Sequence, residues 1–210
     1  MQLLSLTPEG KILLTLVHGK HSYSELRLET GLSDRWLTIK LEQLIAEGIA
    51  EKNGKWYGLT SKTDVSGYEL SLYMKSQADC LANRLSGLDF VKAVFLFGSV
   101  AQKRAQEFSD LDLIIVVSKF HEAAKLKIMG EVRWFELTYH LTVEPFILTE
   151  EDFLDNVHSD EGGIIFGVAE GFEVLVDKTN MLTRVLRDRV AEIKCSHEFL
   201  KDERIWLRVK

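Results

Sequence analysis

The sequence predicts an α/β (α+β) protein, a mixed sheet flanked by helices, preceded by a smaller all-helical-plus-hairpin domain. Three observations predict it. Two continuous apolar runs of strand length, VKAVFLFG (Val91 to Gly98) and LDLIIVV (Leu111 to Val117), read as strands buried on both faces. Stretches of helical composition follow each of them, and strands alternating with helices imply an α/β layer arrangement. Before them, residues 1–60 carry three helix starts and then Asn53-Gly54, a strong two-residue hairpin signal.

In chain order, Thr7 with Pro8 behind it starts the first helix, whose apolar face is Ile12, Leu13, Leu16 and Val17. Ser22 with Glu25 three residues on forms a capping box for a short second helix that ends before Gly31. Ser33 caps a third, with Trp36, Leu37, Leu41, Leu44 and Ile45 at helical spacing, and Gly48 stops it. Residues 49–52 and 55–59 form the two arms of the hairpin. This stretch, GLSDRWLTIKLEQLIAEGIAEKNGKWYGLT, resembles winged helix-turn-helix domains, and the resemblance covers about residues 5–60.

The domains expected are therefore 1–60, winged helix-turn-helix; 61–87, a linking helix; 88–178, the α/β domain; and 179–210, a C-terminal helix. In the linking helix Leu70, Tyr73, Met74, Ala78, Leu81 and Leu85 keep a helical period. Further strands are expected near Val143 to Leu148 and Phe172 to Val176, and the closing amphipathic helix runs from Met181 to about Phe199.

Composition narrows the function. The net charge of −6 does not suit binding nucleic acid through overall charge. No apolar run approaches the roughly 20 residues of a membrane helix, and MQLLSLTPEG lacks the basic head and apolar stretch of a signal peptide. Cys80 and Cys195 form neither a disulfide framework nor a zinc motif, so the expected setting is cytoplasmic.

The chemistry lies in GSVAQKRAQEFSDLDLIIV, Gly98 to Val116. Gly98 ends a buried strand and, with no Cβ, lets a phosphate approach the backbone. Ser99 falls in the first turn of the next helix, where its hydroxyl and free N–H groups can bind phosphate oxygens. Asp110 and Asp112, two apart on a strand, point to the same face. Two such charges about 6 Å apart cost roughly 3 kcal/mol at an effective dielectric near 20, so a cation should offset them. Oxygen ligands beside a phosphate-binding turn favour Mg²⁺, with Mn²⁺ as its substitute.

A Gly-Ser turn followed about eleven residues later by Asp-x-Asp, each at the end of a buried strand, resembles the signature of the DNA polymerase β-like nucleotidyltransferase superfamily, above all its minimal nucleotidyltransferases. The resemblance covers roughly residues 88–178. It implies the nucleotidyltransferase fold and transfer of a nucleoside monophosphate from an NTP to a hydroxyl acceptor, a protein among the candidates. It also implies that Gly98 and Ser99 hold the triphosphate and that Asp110 and Asp112 hold metal. A third carboxylate on a later strand would act as general base; Glu144 is the candidate, with Glu136 and Glu150 competing. Many small members continue the turn as Ala-Arg-Gly, whereas here Ala101 is followed by Gln102 and Lys103, and Arg104 comes one place late. Lys103 and Arg104 are the candidate phosphate-binding cations. Pro145 after Glu144 suggests an edge strand.

For the first domain the candidate DNA contacts are Arg35 and Lys40 on the third helix and Lys52 and Lys55 on the wing. Seven Lys and Arg against seven Asp and Glu over residues 1–60 leave no net positive charge to drive such binding. The alternative function is thus a DNA-binding transcriptional regulator or antitoxin whose second domain senses nucleotide or is inactive. A homodimer is the expected assembly for a winged-helix chain.

Overall fold

The computed structural model describes residues 7–61, 63–160, 162–200, 203 and 205–209. The first residues of the expected 1–60 domain and parts of the expected 179–210 segment (201, 202, 204 and 210) lie outside the described residues. The chain divides into two compact units, Met1–Tyr73 and Met74–Lys210.

In the first unit the order is α1 (Pro8–Val17), β1 (His21–Ser22), α2 (Tyr23–Thr30), α3 (Asp34–Ala46), β2 (Ala50–Asn53) and β3 (Trp56–Leu59). Side-chain caps set the helix starts. Thr7 accepts from the Gly10 N–H at 3.0 Å, Ser22 and Glu25 form the reciprocal box, and Ser33 accepts from the Trp36 N–H. Gly31, in the left-handed conformation, closes α2. The apolar faces of the three helices meet Ala50 and Tyr57 of the hairpin in one core, with Ile12, Leu13, Leu26, Leu37 and Leu44 fully buried.

The hairpin differs from expectation by one residue. Asn53 pairs with Trp56, so the loop is Gly54-Lys55, not Asn53-Gly54. Only Gly54 has positive φ (+61°), which is the pattern of a turn with glycine at its first central position. A third strand, β1, pairs with β3 to give the order β1-β3-β2. At two residues it is too short to leave a period in the sequence.

The helix α4 (Val65–Ser86) follows, and the division between the units falls within it. Its Tyr68 belongs to the first core, and Met74, Ala78, Leu81 and Leu85 are buried.

The second unit continues with β4 (Val91–Phe97), α5 (Gly98–Ala101), β5 (Leu111–Val117), α6 (Glu122–Tyr139), β6 (Val143–Thr149), α7 (Glu150–His158), α8 (Ile164–Glu170), β7 (Glu173–Asp177) and α9 (Met181–Ser196). The sheet is mixed, in the order β6-β5-β4-β7. β4 pairs antiparallel with β5 and β7, while β5 and β6 are parallel, joined by the crossover helix α6. Phe95, Phe97, Ile114 and Val116 share one face and pack with Phe153, Ile165, Val168, Leu182 and Leu186 of α7, α8 and α9. The alternate residues Val94, Leu96, Leu113 and Ile115 are equally buried. Burial of both faces explains why these strands read as unbroken apolar runs. Pro145 sits in β6, at the sheet edge, where a missing N–H costs least.

The C-terminal segment is not one helix, which corrects the expectation for residues 179–210. α9 ends at Ser196, and β8 (His197–Leu200) pairs antiparallel with β9 (Ile205–Arg208). Phe199 packs on Trp206 at 5.1 Å, and the Trp206 indole N–H donates to the Phe166 carbonyl at 3.0 Å. Contacts with α8, distant in sequence, therefore hold a segment whose local pattern continues the helical period of α9. No described helix is long and apolar enough to cross a membrane.

Candidate active site

The ends of three strands meet at one end of the sheet: β4 finishes at Phe97, and β5 and β6 begin at Leu111 and Val143. Register then dictates which side chains converge. Phe97 pairs with Asp112, and Asp112 pairs in turn with Glu144 on the parallel neighbour. Asp110 lies two residues before Asp112, on the same face. Asp110, Asp112 and Glu144 each offer a carboxylate oxygen within 4.8 Å of the others. The structure thus brings three of the sequence-predicted residues together. Of the competitors, Glu136 accepts the Val143 N–H at 3.0 Å and Glu150 opens α7 at the far end of β6.

Asp112 is half-buried between its two neighbours. Burial, then the charge of Asp110, then the charge of Glu144 and a hydrogen bond with it, push its carboxyl from 3.8 up to about 6. Among the described residues no Lys or Arg forms an ion pair with any of the three. Three carboxylate oxygens within 4.8 Å of one another are a donor set that could hold a hard divalent cation.

Gly98 has a second reason to be glycine. Its φ is +69°, and a Cβ built on it would fall inside the Asp112 carboxylate. The sequence suggests room for a phosphate; the space directly behind the backbone is filled by the aspartate instead.

An open recess is lined by Ser99, Arg104, Gln106 and Ser109, the last of them next to Asp110 in the chain. Ser99 donates its hydroxyl to Ser109 Oγ at 3.1 Å, and the Gln106 N–H donates to the same oxygen at 2.8 Å. Ser109 accepts twice, so its own hydrogen is the one free to meet a ligand. The approach of Ser109 Oγ to Ser99 depends on the fold of the intervening loop, which the motif spacing does not show. Arg104 lines the recess but pairs with Glu170 at 2.8 Å, a partner 66 residues away that sequence spacing could not reveal. Lys103 is not among the lining residues. It occupies the left-handed region, φ +58°, at the place where many minimal nucleotidyltransferases have glycine. Gln102, beside it, has its buried Oε1 without a hydrogen-bond partner. Phe108, one residue before Ser109, is 94% exposed.

The candidate DNA contacts lie on the first unit. Arg35 is exposed on α3. Lys40 is engaged instead, paired with Glu9 at 2.5 Å and bonded to Gln43 at 3.1 Å, with its side chain 18% exposed. Its charge is neutralised within the unit, so it is not presented to a phosphate. Lys52 and Lys55 on the hairpin lie over the rings of Tyr57 and Trp56 at 5.3 and 5.0 Å.

Residues 80–179 match the family model described as polymerase beta, nucleotidyltransferase. No curated protein is detectably similar in sequence. Among solved structures, a chain from a toxin–antitoxin complex with AMP-PNP is 12% identical, covering 56% of this chain and 87% of that one, with a TM-score of 0.38. A putative nucleotidyltransferase from Sulfolobus solfataricus is 22% identical over 44% of this chain and 81% of its own, with a TM-score of 0.35. A chain from the complex of tri-AMPylated Shewanella oneidensis HEPN toxin with MNT antitoxin is 8% identical over 60% and 87%, also with a TM-score of 0.35. These overall similarities are low. The match to residues 80–179, just under half of the chain, makes this stretch similar to nucleotidyltransferase domains of the polymerase β type.

Proposed function

We propose that this protein transfers a nucleoside monophosphate from an NTP to a hydroxyl acceptor, using Mg²⁺ held by Asp110, Asp112 and Glu144. The observation that supports the reading most is the trio of carboxylate oxygens within 4.8 Å, with no protein cation paired to them among the described residues. When bound, Mg²⁺ neutralises the three acids and the charge gathering on the phosphates. The chain's own residues do the rest. Ser109, its hydroxyl oriented by Ser99 and Gln106, donates to a phosphate oxygen. Arg104 swings from Glu170 to the β- and γ-phosphates or steadies the loop from where it is. Glu144, exposed at the sheet edge, takes the proton from the acceptor hydroxyl. The acceptor oxygen forms a bond to the α-phosphorus, the bridging P–O bond breaks, and pyrophosphate leaves with the electron pair.

The acceptor class we favour is a protein side-chain hydroxyl, for which the exposed Glu144 leaves the edge of the acid cluster open to a macromolecule. The test is transfer of label from α-³²P-NTPs to protein acceptors in Mg²⁺. The reading requires pyrophosphate release with each transfer and loss of both in Asp110→Asn. Undiminished transfer by that variant would remove it.

A winged-helix module over residues 7–59 is the reading we propose for the first unit. The order α1-β1-α2-α3-β2-β3, with a three-stranded sheet, supports it. With Lys40 engaged by Glu9, the cationic set left for a nucleic acid is Arg35, Lys52 and Lys55. Three cations predict weak binding with a shallow salt slope of about −3. A steeper slope with sequence-selective affinity for a promoter fragment would favour the alternative, a DNA-binding regulator.

A further inference from the structure

At its C-terminal end the second unit has an open recess of about 460 Å³, within the roughly 300–1,000 Å³ of small-molecule sites. It shares no lining residue with the recess of Ser99, Arg104, Gln106 and Ser109. Its walls come from the hairpin β8–β9, from α8 and from the corner after α7. In the hairpin His197 pairs with Arg208 and Phe199 with Trp206, so strand period turns all four side chains to one face. That face meets Phe166 of α8, whose ring lies 5.4 Å from His197 and 6.5 Å from Trp206. The Trp206 N–H bond to the Phe166 carbonyl fixes the indole there. The corner after α7 contributes Asp160. Arg189 of α9 bonds to it at 2.5 Å and also donates to the Val157 and Ser159 carbonyls at 3.0 and 2.9 Å, which pins the corner.

The charges around these aromatic walls are unbalanced. The hydrogen bond and charge of Arg189 hold the Asp160 carboxyl below the usual range, and the charges of Arg208 and His197 act in the same direction. Arg208 is thus a second cation beside one carboxylate that Arg189 neutralises. It is exposed, and among the described residues it forms no hydrogen bond or ion pair. His197 bonds through Nδ1 to Ser196 Oγ at 2.9 Å and has Nε2 left for another partner. A surplus cation beside aromatic walls suits an anion that carries a flat ring. The Asp160 oxygen not bonded to Arg189 can accept from a hydroxyl or an amine, which adds a third requirement. We propose that the recess binds a mononucleotide, with its base against Phe166 and Trp206, its phosphate on Arg208 and His197, and its sugar or base donors on Asp160. A nucleoside phosphate joins ring, anion and donors in one molecule, and neither an aromatic acid nor a free phosphate has all three.

Calorimetric titration of AMP into the full chain tests the proposal, in EDTA to keep divalent metal from the acid cluster. Binding should saturate below about 5 mM and be equally tight in Asp110→Asn/Asp112→Asn. Arg208→Ala should raise the dissociation constant roughly ten- to a hundred-fold, as loss of a charge-assisted hydrogen bond does. Its melting temperature should not change, because the side chain is exposed. Adenosine and inorganic phosphate should each bind at least about ten-fold more weakly than AMP, since each lacks one half of the ligand. Absence of AMP binding overturns the proposal, as does binding that Arg208→Ala leaves intact or that the double aspartate variant loses. Phosphate bound as tightly as AMP also overturns it, because the aromatic walls would then recognise nothing.

Discussion

Asp112 and Asp177 stand at strand ends in the same sheet, both half-buried, yet their carboxyls are shifted in opposite directions. At Asp177, burial alone would raise the carboxyl, but hydrogen bonds outweigh it and hold it below the usual range. The Thr183 N–H and hydroxyl donate at 2.8 and 2.7 Å, and the Thr179 and Asn180 N–H groups at 3.1 and 3.0 Å. These donors tie β7 to the start of α9. Asp112 has no such set. Its neighbours are two more acids, and it is pushed up to about 6. One aspartate is surrounded by hydrogen-bond donors; the other lies between two acids. A strongly perturbed carboxylate in an acid cluster marks function more than structure for that reason.

Substitution should separate the two. The largest expected effect is on activity: Asp112→Asn should lower nucleotidyl transfer at least about 100-fold, while Asp177→Ala leaves the rate per folded molecule unchanged, measured with the same labelled NTP. Next is Gly98→Ala, which drives a methyl into the Asp112 carboxylate at a positive φ. A loss of about 2–4 kcal/mol in urea unfolding is expected, largely relieved in the Gly98→Ala/Asp112→Gly pair. Asp177→Ala should cost about 1–2 kcal/mol, as removal of a helix-start cap does.

The pH dependence has opposite signs at the two positions. Asp177, lowered in the fold, contributes stability above the usual value of 3.8 that is lost as pH falls through its folded value. Asp112, raised in the fold, does the reverse. The metal-free protein gains stability from this group as pH falls through about 6 towards 3.8. Asp112→Asn should abolish that gain in the urea midpoint and be the more stable protein above pH 6. Mg²⁺ must displace the same proton, so its affinity should weaken below about pH 6. The smallest effect expected is at Lys103, where removing Cβ from a φ of +58° by Lys103→Gly should stabilise by about 1 kcal/mol.

The same contrast explains what was legible in the sequence. Thr7, Ser22 with Glu25, and Ser33 act on residues three positions away, so the helix starts they announce are where they form. The two-residue spacing of Asp110 and Asp112 announces the convergence that forms, although Asp110 stands one residue before β5, and the buried runs of β4 and β5 frame it. What depends on distant partners was not legible. β1 exists because β3 pairs with it, and β8 and β9 are held through Trp206 on Phe166. The closing helix was overextended for that reason. At the site, the Arg104–Glu170 pair and the Ser99–Ser109 contact come from loop closure, which leaves no period to read. Glu144 is the sequence candidate with Glu136 and Glu150 competing, and it is the parallel register of β5 and β6, invisible in the sequence, that pairs it with Asp112.

Whether the acid cluster holds metal and nucleotide together is decided by calorimetric titration of each NTP into native protein and into Asp110→Asn/Asp112→Asn, with and without Mg²⁺. Binding should require Mg²⁺ and disappear in the double variant. Equal binding by both proteins, or binding indifferent to Mg²⁺, would mean that the three carboxylates are not the nucleotide site.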